Sequence, residues 1–287
     1  MKYRLYRWLL KMVAVWPLGM LYVLSDMVSF ILHKVVGYRT DVVRRNLAMA
    51  FPEKDAAELY RIEKDFYRHF CDIFLETVKL SGMSEKEIDR RIHIRGVENI
   101  NDALTRGRSV VLMLGHFGNW EWVTALARRI SPDCVIAQIY HPLRNKDFNR
   151  IIVEMRSRFG TENIPMAKTL RRLLEINGQG RQFVCGFISD QRPFTPELKH
   201  WADFMGIDTP YVNGGEVIGR KLGTEFIYAE CRPVRRGEYV IEISPLSPVD
   251  DDNENPYTRA FLHRLEQSIR SYPSFWLWSH NRWKRRR

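Results

Sequence analysis

The sequence predicts an α/β protein: a central, mostly parallel sheet flanked by helices, preceded by an N-terminal membrane-associated helical segment. Three observations carry this. The runs 109–114 and 183–188 are short and apolar, with the length and lack of alternation of strands buried on both faces. Helical patterns closed by glycine or asparagine lie between and after such runs, so strand and helix alternate. The first residues differ in composition from the rest, being apolar with basic flanks. The expected division is 1–40 as a membrane-associating helical segment and 41–287 as a catalytic domain.

Taken in order, Lys2, Arg4, Arg7 and Lys11 interleave with Tyr3, Tyr6 and Trp8. An apolar stretch over 12–25 follows, broken by Pro17 and Gly19 and interrupted by Asp26. A spanning helix needs about 20 consecutive apolar residues, and this run falls short. Basic residues flank both sides, and no small-residue cleavage site follows. A helical hairpin or an in-plane helix with both ends cytoplasmic fits this symmetry; a buried helix of a soluble protein is the alternative. Over 53–89, Ala56, Leu59, Ile62, Phe66, Phe70 and Ile73 recur at helical spacing. Gly82 ends that segment, and Ser84 with Glu87 fits a capping box. Further helices are expected over 120–130, 145–159, 168–176, 213–222 and 256–272. Strands are expected over 134–139, 225–229 and 239–243.

The net charge of +11 favours an anionic partner: nucleic acid, anionic lipid headgroups or an acidic carrier protein. The four cysteines are isolated, without metal-ligand or disulfide spacing, and read as reduced, packed thiols. Near the C-terminus, Trp276, Trp278 and Trp283 beside Arg282 and Lys284 read as an interfacial belt with basic anchors rather than a nucleic-acid surface.

The segment Val110-Val-Leu-Met-Leu-Gly-His116-Phe-Gly-Asn-Trp-Glu121 carries the chemistry. A strand ending at Gly115 delivers His116 to the carboxyl edge of a sheet, where open α/β folds place ligands. From the start of the next helix, Glu121 can reach back to one imidazole nitrogen, fixing the tautomer and leaving the other nitrogen to take a proton. The helix N-terminus offers backbone N–H groups to a developing oxyanion. On spacing alone, a histidine capping a helix beside a favourable first-turn glutamate is the simpler account. No HExxH motif or second histidine cluster points to zinc.

His116-x4-Glu121 resembles the HX4D/E signature of glycerolipid and lipid A acyltransferases. Arg45-Asn46-Leu47 with Phe51-Pro52, Tyr140-His-Pro142 followed by Arg156-Ser-Arg-Phe-Gly160, Asp190-Gln191 with Phe204-Met-Gly206, and Trp276-Leu-Trp278-Ser-His280-Asn-Arg282-Trp-Lys284 resemble, in order, segments of the lipid A biosynthesis (lauroyl/myristoyl) acyltransferase family. The resemblance implies catalytic roles for His116 and Glu121 and substrate-binding roles for Arg156 and Asp190. It implies no metal and no bound cofactor, with acyl carrier protein or acyl-CoA as donor. The implied acceptor is an anionic lipid at the bacterial inner membrane, a lipid A precursor, with the catalytic domain on the cytoplasmic face and no nucleic acid. A lysophospholipid or amino-acid lipid acceptor is the alternative within the enzyme class. An inactive membrane lipid-binding protein is the alternative outside it. The stretch 193–203, with Lys199, His200 and Trp201, is polar where the family approaches its substrate, and His200 is expected to be a surface loop residue.

Overall fold

The computed structural model describes residues 2–193, 198–249 and 254–285. The chain opens with α1 (Lys2–Val15) and α2 (Leu18–Phe30), the latter running on into a π-helical turn, Ile31–Val35. Next come α3 (Thr40–Ala50), α4 (Ala56–Leu80) and α5 (Glu85–Arg91). Asp55 and Glu58 form a full capping box at the start of α4. At the start of α5, Ser84 accepts from the Glu87 N–H, one half of the capping box expected there, while the Glu87 carboxylate accepts from Arg91.

The α/β part follows with β1 (Ile92–Arg95), α6 (Glu98–Thr105) and β2 (Val110–Leu114). The helix expected over 120–130 is a ten-residue 3-10 helix, Trp120–Arg129. After it come β3 (Val135–Tyr140), α7 (Lys146–Arg156), β4 (Glu162–Pro165), α8 (Thr169–Gly178) and β5 (Phe183–Ile188). A small antiparallel pair, β6 (Trp201–Phe204) and β7 (Ile207–Pro210), precedes α9 (Gly214–Leu222), β8 (Glu225–Arg235), β9 (Glu238–Pro245) and α10 (Pro256–Ser271).

The main sheet has seven strands in the order β1-β9-β8-β2-β5-β3-β4. The five from β8 to β4 run parallel, β9 is antiparallel to β8, and β1 is parallel to β9. The predicted mostly parallel sheet is therefore present. Alternate residues of β2 serve two cores. Val111 and Met113 pack with Phe66, Tyr67, Phe261 and Leu265, while Leu112 and Leu114 pack with Leu104, Trp122 and Leu126. Helices thus cover both faces, which is why β2 and β5 read as unbroken apolar runs. The chain leaves β2 for β3, two places away, and returns with β5 in the gap. That reversal opens a crevice beyond the carboxyl ends of β2, β5 and β3. All four cysteines are free and buried.

The 18 residues from Leu18 to Val35 form a helix long and apolar enough to cross a membrane by length and composition. One of its faces is not apolar, and this face is docked antiparallel along α4. Tyr22 Oη donates to Glu76 Oε1 at 2.7 Å and Ser25 Oγ to Asp72 Oδ1 at 2.6 Å. Asp26 accepts from Arg68 at 3.0 Å, and His33 Nε2 lies 2.6 Å from Glu63 Oε1. The opposite face leaves Met20, Val23, Met27, Phe30 and Ile31 exposed. On α1, Leu5, Trp8, Leu9 and Met12 are exposed in the same way.

Candidate active site

Adjacent parallel strands in register set the centre of the site. Leu114 on β2 pairs with Ile188 on β5, so the chains emerge level and His116 and Asp190 stand two residues beyond that pair. Asp190 Oδ1 lies 2.7 Å from His116 Nδ1, and Oδ2 accepts the His116 backbone N–H at 3.0 Å. Trp276 Nε1 donates to the same Oδ2 at 2.8 Å. A carboxylate only accepts, so Nδ1 carries the proton and Nε2 presents a lone pair. Gln191 Nε2 reaches that lone pair at 3.3 Å, marking the position from which a hydroxyl could donate. The Trp120 ring meets the imidazole at an interplanar angle of 72°, with centroids 5.2 Å apart.

Burial raises the Asp190 carboxyl pKa, but the His116 charge and the hydrogen bonds from His116 and Trp276 outweigh it and hold the group at about 2. Asp190 therefore stays ionised beneath the imidazole, orienting it and stabilising the imidazolium.

Glu121 does not take the place the sequence assigned to it. Its carboxylate is gripped by both arms of Arg156 from α7, with Nε donating to Oε2 at 2.8 Å and Nη2 to Oε1. The expected His116–Glu121 contact is replaced by two pairs, His116–Asp190 and Glu121–Arg156. The physical reason is the sheet register: β5 brings a carboxylate to the imidazole directly, whereas Glu121 departs on the 3-10 helix toward α7. Arg156, for which the resemblance implies a substrate-binding role, has its fork filled by Glu121. Of the four sequence-predicted site residues, His116, Glu121 and Arg156 line the groove described below; Asp190 is buried beneath His116. The N–H at Trp122, a candidate oxyanion donor, is taken by Asn119 Oδ1 at 3.2 Å.

The groove in front of His116 holds about 750 Å³. Its walls are apolar: Phe70, Ile73 and Phe74 of α4, Phe148, Ile152 and Met155 of α7, and Leu10 of α1. A narrower apolar slot of about 70 Å³ runs between the 3-10 helix and the sheet, under Leu126, Ala127 and Ile130. Trp120, Glu121, Ile139, Arg156 and Ile188 border both, so the Glu121–Arg156 pair stands between groove and slot.

The C-terminal aromatic residues are core, not belt. Trp276, Trp278 and Trp283 are 2%, 0% and 4% exposed, and Arg282 is fully buried. The chain returns under the catalytic loop: Leu277 N–H donates to the His116 carbonyl at 3.2 Å and Gly118 N–H to that of Phe275 at 2.9 Å. Asn46 of α3 donates to the carbonyls of Trp278 and His280, so the early and late motifs meet in space. Of the polar stretch after Gln191, residues 194–197 lie outside the described residues. His200 is half-buried rather than a plain surface residue, stacked on Tyr211 and within 3.3 Å of Asn213 and Asn255.

Sequence reasoning missed two buried polar groups of α4, His69 and Glu76, that hold the catalytic loop. They continue the series Ile62-Phe66-His69-Ile73-Glu76-Leu80, so polar residues on a buried helix face were the available signal. His69 Nε2 donates to the Gly118 carbonyl at 3.1 Å. Gly118 has φ +58, and a Cβ there would sit 1.6 Å from the Cys231 carbonyl oxygen, so only glycine fits. Burial pushes His69 down to about 4. Between pH 6.5 and 4 the unfolded chain thus binds a proton that the folded chain does not, and stability falls as the pH falls through that window. His69→Gln is expected to make the acid limb of urea-unfolding midpoints shallower. An equally steep limb in the variant would show that another group titrates.

Fold and site define an α/β protein with a carboxylate-held histidine at a sheet edge, facing an apolar groove. The profile of the bacterial lipid A biosynthesis acyltransferases matches residues 2–285, and the chain belongs to that family. It is similar to a phosphatidylinositol mannoside acyltransferase of Mycolicibacterium smegmatis, 23% identical over 82% of this chain and 76% of that protein. It is also similar to a lipid A biosynthesis acyltransferase of Haemophilus influenzae (21% identical, 86% of this chain, 76% of that one). The lipid A biosynthesis palmitoleoyltransferase of Escherichia coli is 21% identical over 86% of this chain and 79% of that protein. The chain is thus an acyltransferase of a membrane-associated family, acting with an acyl donor and a lipid acceptor.

Proposed function

We propose that the protein transfers a fatty acyl chain from a thioester to a hydroxyl of a lipid A precursor, with His116 as general base. The observation that carries this is the ionised Asp190 holding Nδ1–H, with Nε2 turned to an apolar groove. The acceptor hydroxyl gives its proton to Nε2 as its oxygen attacks the thioester carbonyl. The tetrahedral oxyanion collapses, the carbon–sulfur bond breaks, and the imidazolium returns the proton to the leaving thiolate. The products are an ester and a free thiol, with no covalent enzyme intermediate. The apolar groove of about 750 Å³ in front of His116 suits the acyl chain. The surplus of positive charge suits an acidic acyl carrier protein, the phosphates of acyl-CoA, and an anionic acceptor.

The docking of α2 supports an in-plane rather than a spanning segment. Pulled across a bilayer, a helix of roughly 27 Å would drag Tyr22, Ser25, Asp26 and His33 from partners on α4 into hydrocarbon. Lying in the interface, residues 1–40 bury their exposed apolar face and leave 41–287 as the catalytic unit. On this reading the enzyme works on the cytoplasmic face of the bacterial inner membrane, where the groove wall formed by Leu10 and Phe74 meets the lipid. A mannosylated phosphatidylinositol acceptor is the second reading, favoured by the mycobacterial similarity.

The test is acyl transfer by purified protein from labelled acyl carrier protein and acyl-CoA to a panel of lipid A precursors, phosphatidylinositol mannosides and lysophospholipids. Transfer to a lipid A precursor, absent in His116→Ala, is the expected result. Transfer to the mannosides alone would replace the acceptor. Full activity in the variant would remove the general base.

A further inference from the structure

Glu76 is fully buried and lies outside the groove, yet it joins the N-terminal helix to the catalytic loop. Its Oε1 accepts from Tyr22 of α2 at 2.7 Å. Its Oε2 accepts from Asn119 Nδ2 at 2.6 Å and from Tyr239 of β9 at 2.9 Å. Its backbone carbonyl accepts from Trp122 Nε1 at 2.9 Å. Asn119 lies three residues after His116, and its own Oδ1 caps the 3-10 helix that carries Trp120 and Glu121. On the far side the Arg236 guanidinium sits over the Tyr22 ring, 4.2 Å from its centre. A Cβ at Gly237 would lie 2.0 Å from the Tyr22 hydroxyl, so the β8–β9 turn packs directly against that hydroxyl.

We infer that Glu76 is a positioning residue that couples the lipid-facing helix α2 to the catalytic loop, through Tyr22 on one side and Asn119 on the other. This rests on the acyltransferase reading of His116 and extends it to regulation by the membrane. Each carboxylate oxygen is committed, one to α2 and one to the loop and β9. A shift of α2 that breaks the Tyr22 bond leaves a dry carboxyl oxygen unpaired, which costs more than a bond lost in water. The carboxylate then turns toward a new donor and loosens Asn119, and with it the loop that presents His116 and Trp120. Burial, with the Asp72 carboxylate beside it, pushes Glu76 up to about 7, and its donors pull the other way, so losing one makes the ionised form costlier. An α2 seated by lipid on its outer face keeps Tyr22 in place, so membrane binding and loop order rise together.

The α2–α4 interface supplies its own control. Ser25 also donates a hydroxyl from α2 to a buried carboxylate of α4, that of Asp72, but Asp72 has no hydrogen bond to the catalytic loop among the described residues. Tyr22→Phe and Ser25→Ala each delete one hydroxyl from the same seam. On phosphatidylglycerol vesicles, Tyr22→Phe is expected to lower kcat about tenfold with KM for the thioester unchanged. Amide hydrogen exchange of peptides covering 116–122 should be faster in that variant, and the slowing that vesicles cause in the wild type should be lost. Ser25→Ala should match the wild type in kcat and in exchange over 116–122. Equal exchange there in wild type and Tyr22→Phe, with or without vesicles, would overturn the coupling. So would equal losses in both variants, which would mark a general weakening of the docked helix. If the wild type transfers no acyl group, the acyltransfer reading fails, while the exchange comparison still decides the coupling.

Discussion

Asparagine at position 190 is expected to lower kcat by about 10³–10⁴-fold in a chain that still folds, the scale of losing a buried partner to a histidine base. The argument is a count of donors. Asp190 Oδ2 receives two, the His116 backbone N–H and Trp276 Nε1, and Oδ1 faces one, His116 Nδ1. Asparagine has a single acceptor oxygen, and the side with two donors claims it. The amide NH2 is then turned on Nδ1, which must give up its proton to accept. The proton moves to Nε2, and the nitrogen facing the groove can no longer serve as a base. A pH signature accompanies this. The Asp190 carboxyl is held at about 2, against about 3.9 in an unfolded chain. Its contribution to stability is complete above the unfolded value and is lost as the pH falls through 2. The stability gap between wild type and Asp190→Asn should therefore close between pH 4 and pH 2. An Asp190→Asn enzyme within tenfold of wild type, beside a Glu121→Gln enzyme reduced a thousandfold, would restore the His116–Glu121 pairing.

Why the sequence pointed to Glu121 is instructive. It lies five positions after His116, and local spacing is all that a reading along the chain can weigh. Asp190 is 74 residues away, and its contact depends on β5 entering between β2 and β3. The order of parallel strands is a tertiary fact that no local pattern states. The strands themselves were legible. The run 183–188 matches β5 residue for residue, because a strand buried on both faces is apolar throughout. Strand β1, with His93 and Arg95 in four residues, gave no such run, because it lies at the edge of the sheet. The helix expected over 120–130 exists but winds as 3-10, with Asn119 capping its first turn.

The C-terminal tryptophans show the limit from the other direction. Aromatic residues among basic ones have the composition of a membrane belt, and composition carries no depth. The segment folds inward because its backbone bonds to the catalytic loop at His116 and Gly118, and Trp276 then supplies a donor to Asp190. At the N-terminus, composition located the apolar segment, while the polar face of α2 emerged only with α4 beside it.

Glu121→Gln and Arg156→Gln are each expected to cost about 3 kcal/mol of stability, the lower end for breaking a pair withdrawn from water. The side chains are 13% and 24% exposed, so solvent screens the pair only in part. Burial alone would lower the Arg156 pKa, but the hydrogen bonds and charge of Glu121 raise it, so the pair is a tightly held ion pair. Each single change strands one charge beside the apolar slot. The double change removes both and should cost little more than either, giving a coupling of about 2–3 kcal/mol in a double-mutant cycle. Activity should follow the same pattern. The pair fixes the 3-10 helix against α7 at the border of slot and groove, and a displacement of about 1 Å there is worth about 10² in kcat/KM. Arg156→Lys keeps the charge without the fork and should recover only part of the loss. The cycle separates two roles for Glu121. As a partner of His116 it would lose activity on substitution whatever stands at 156, and the limbs of the pH–rate profile would move. As a partner of Arg156 it shares its effect with that residue and leaves the profile where it was. Additive losses with a shifted profile would return Glu121 to the imidazole.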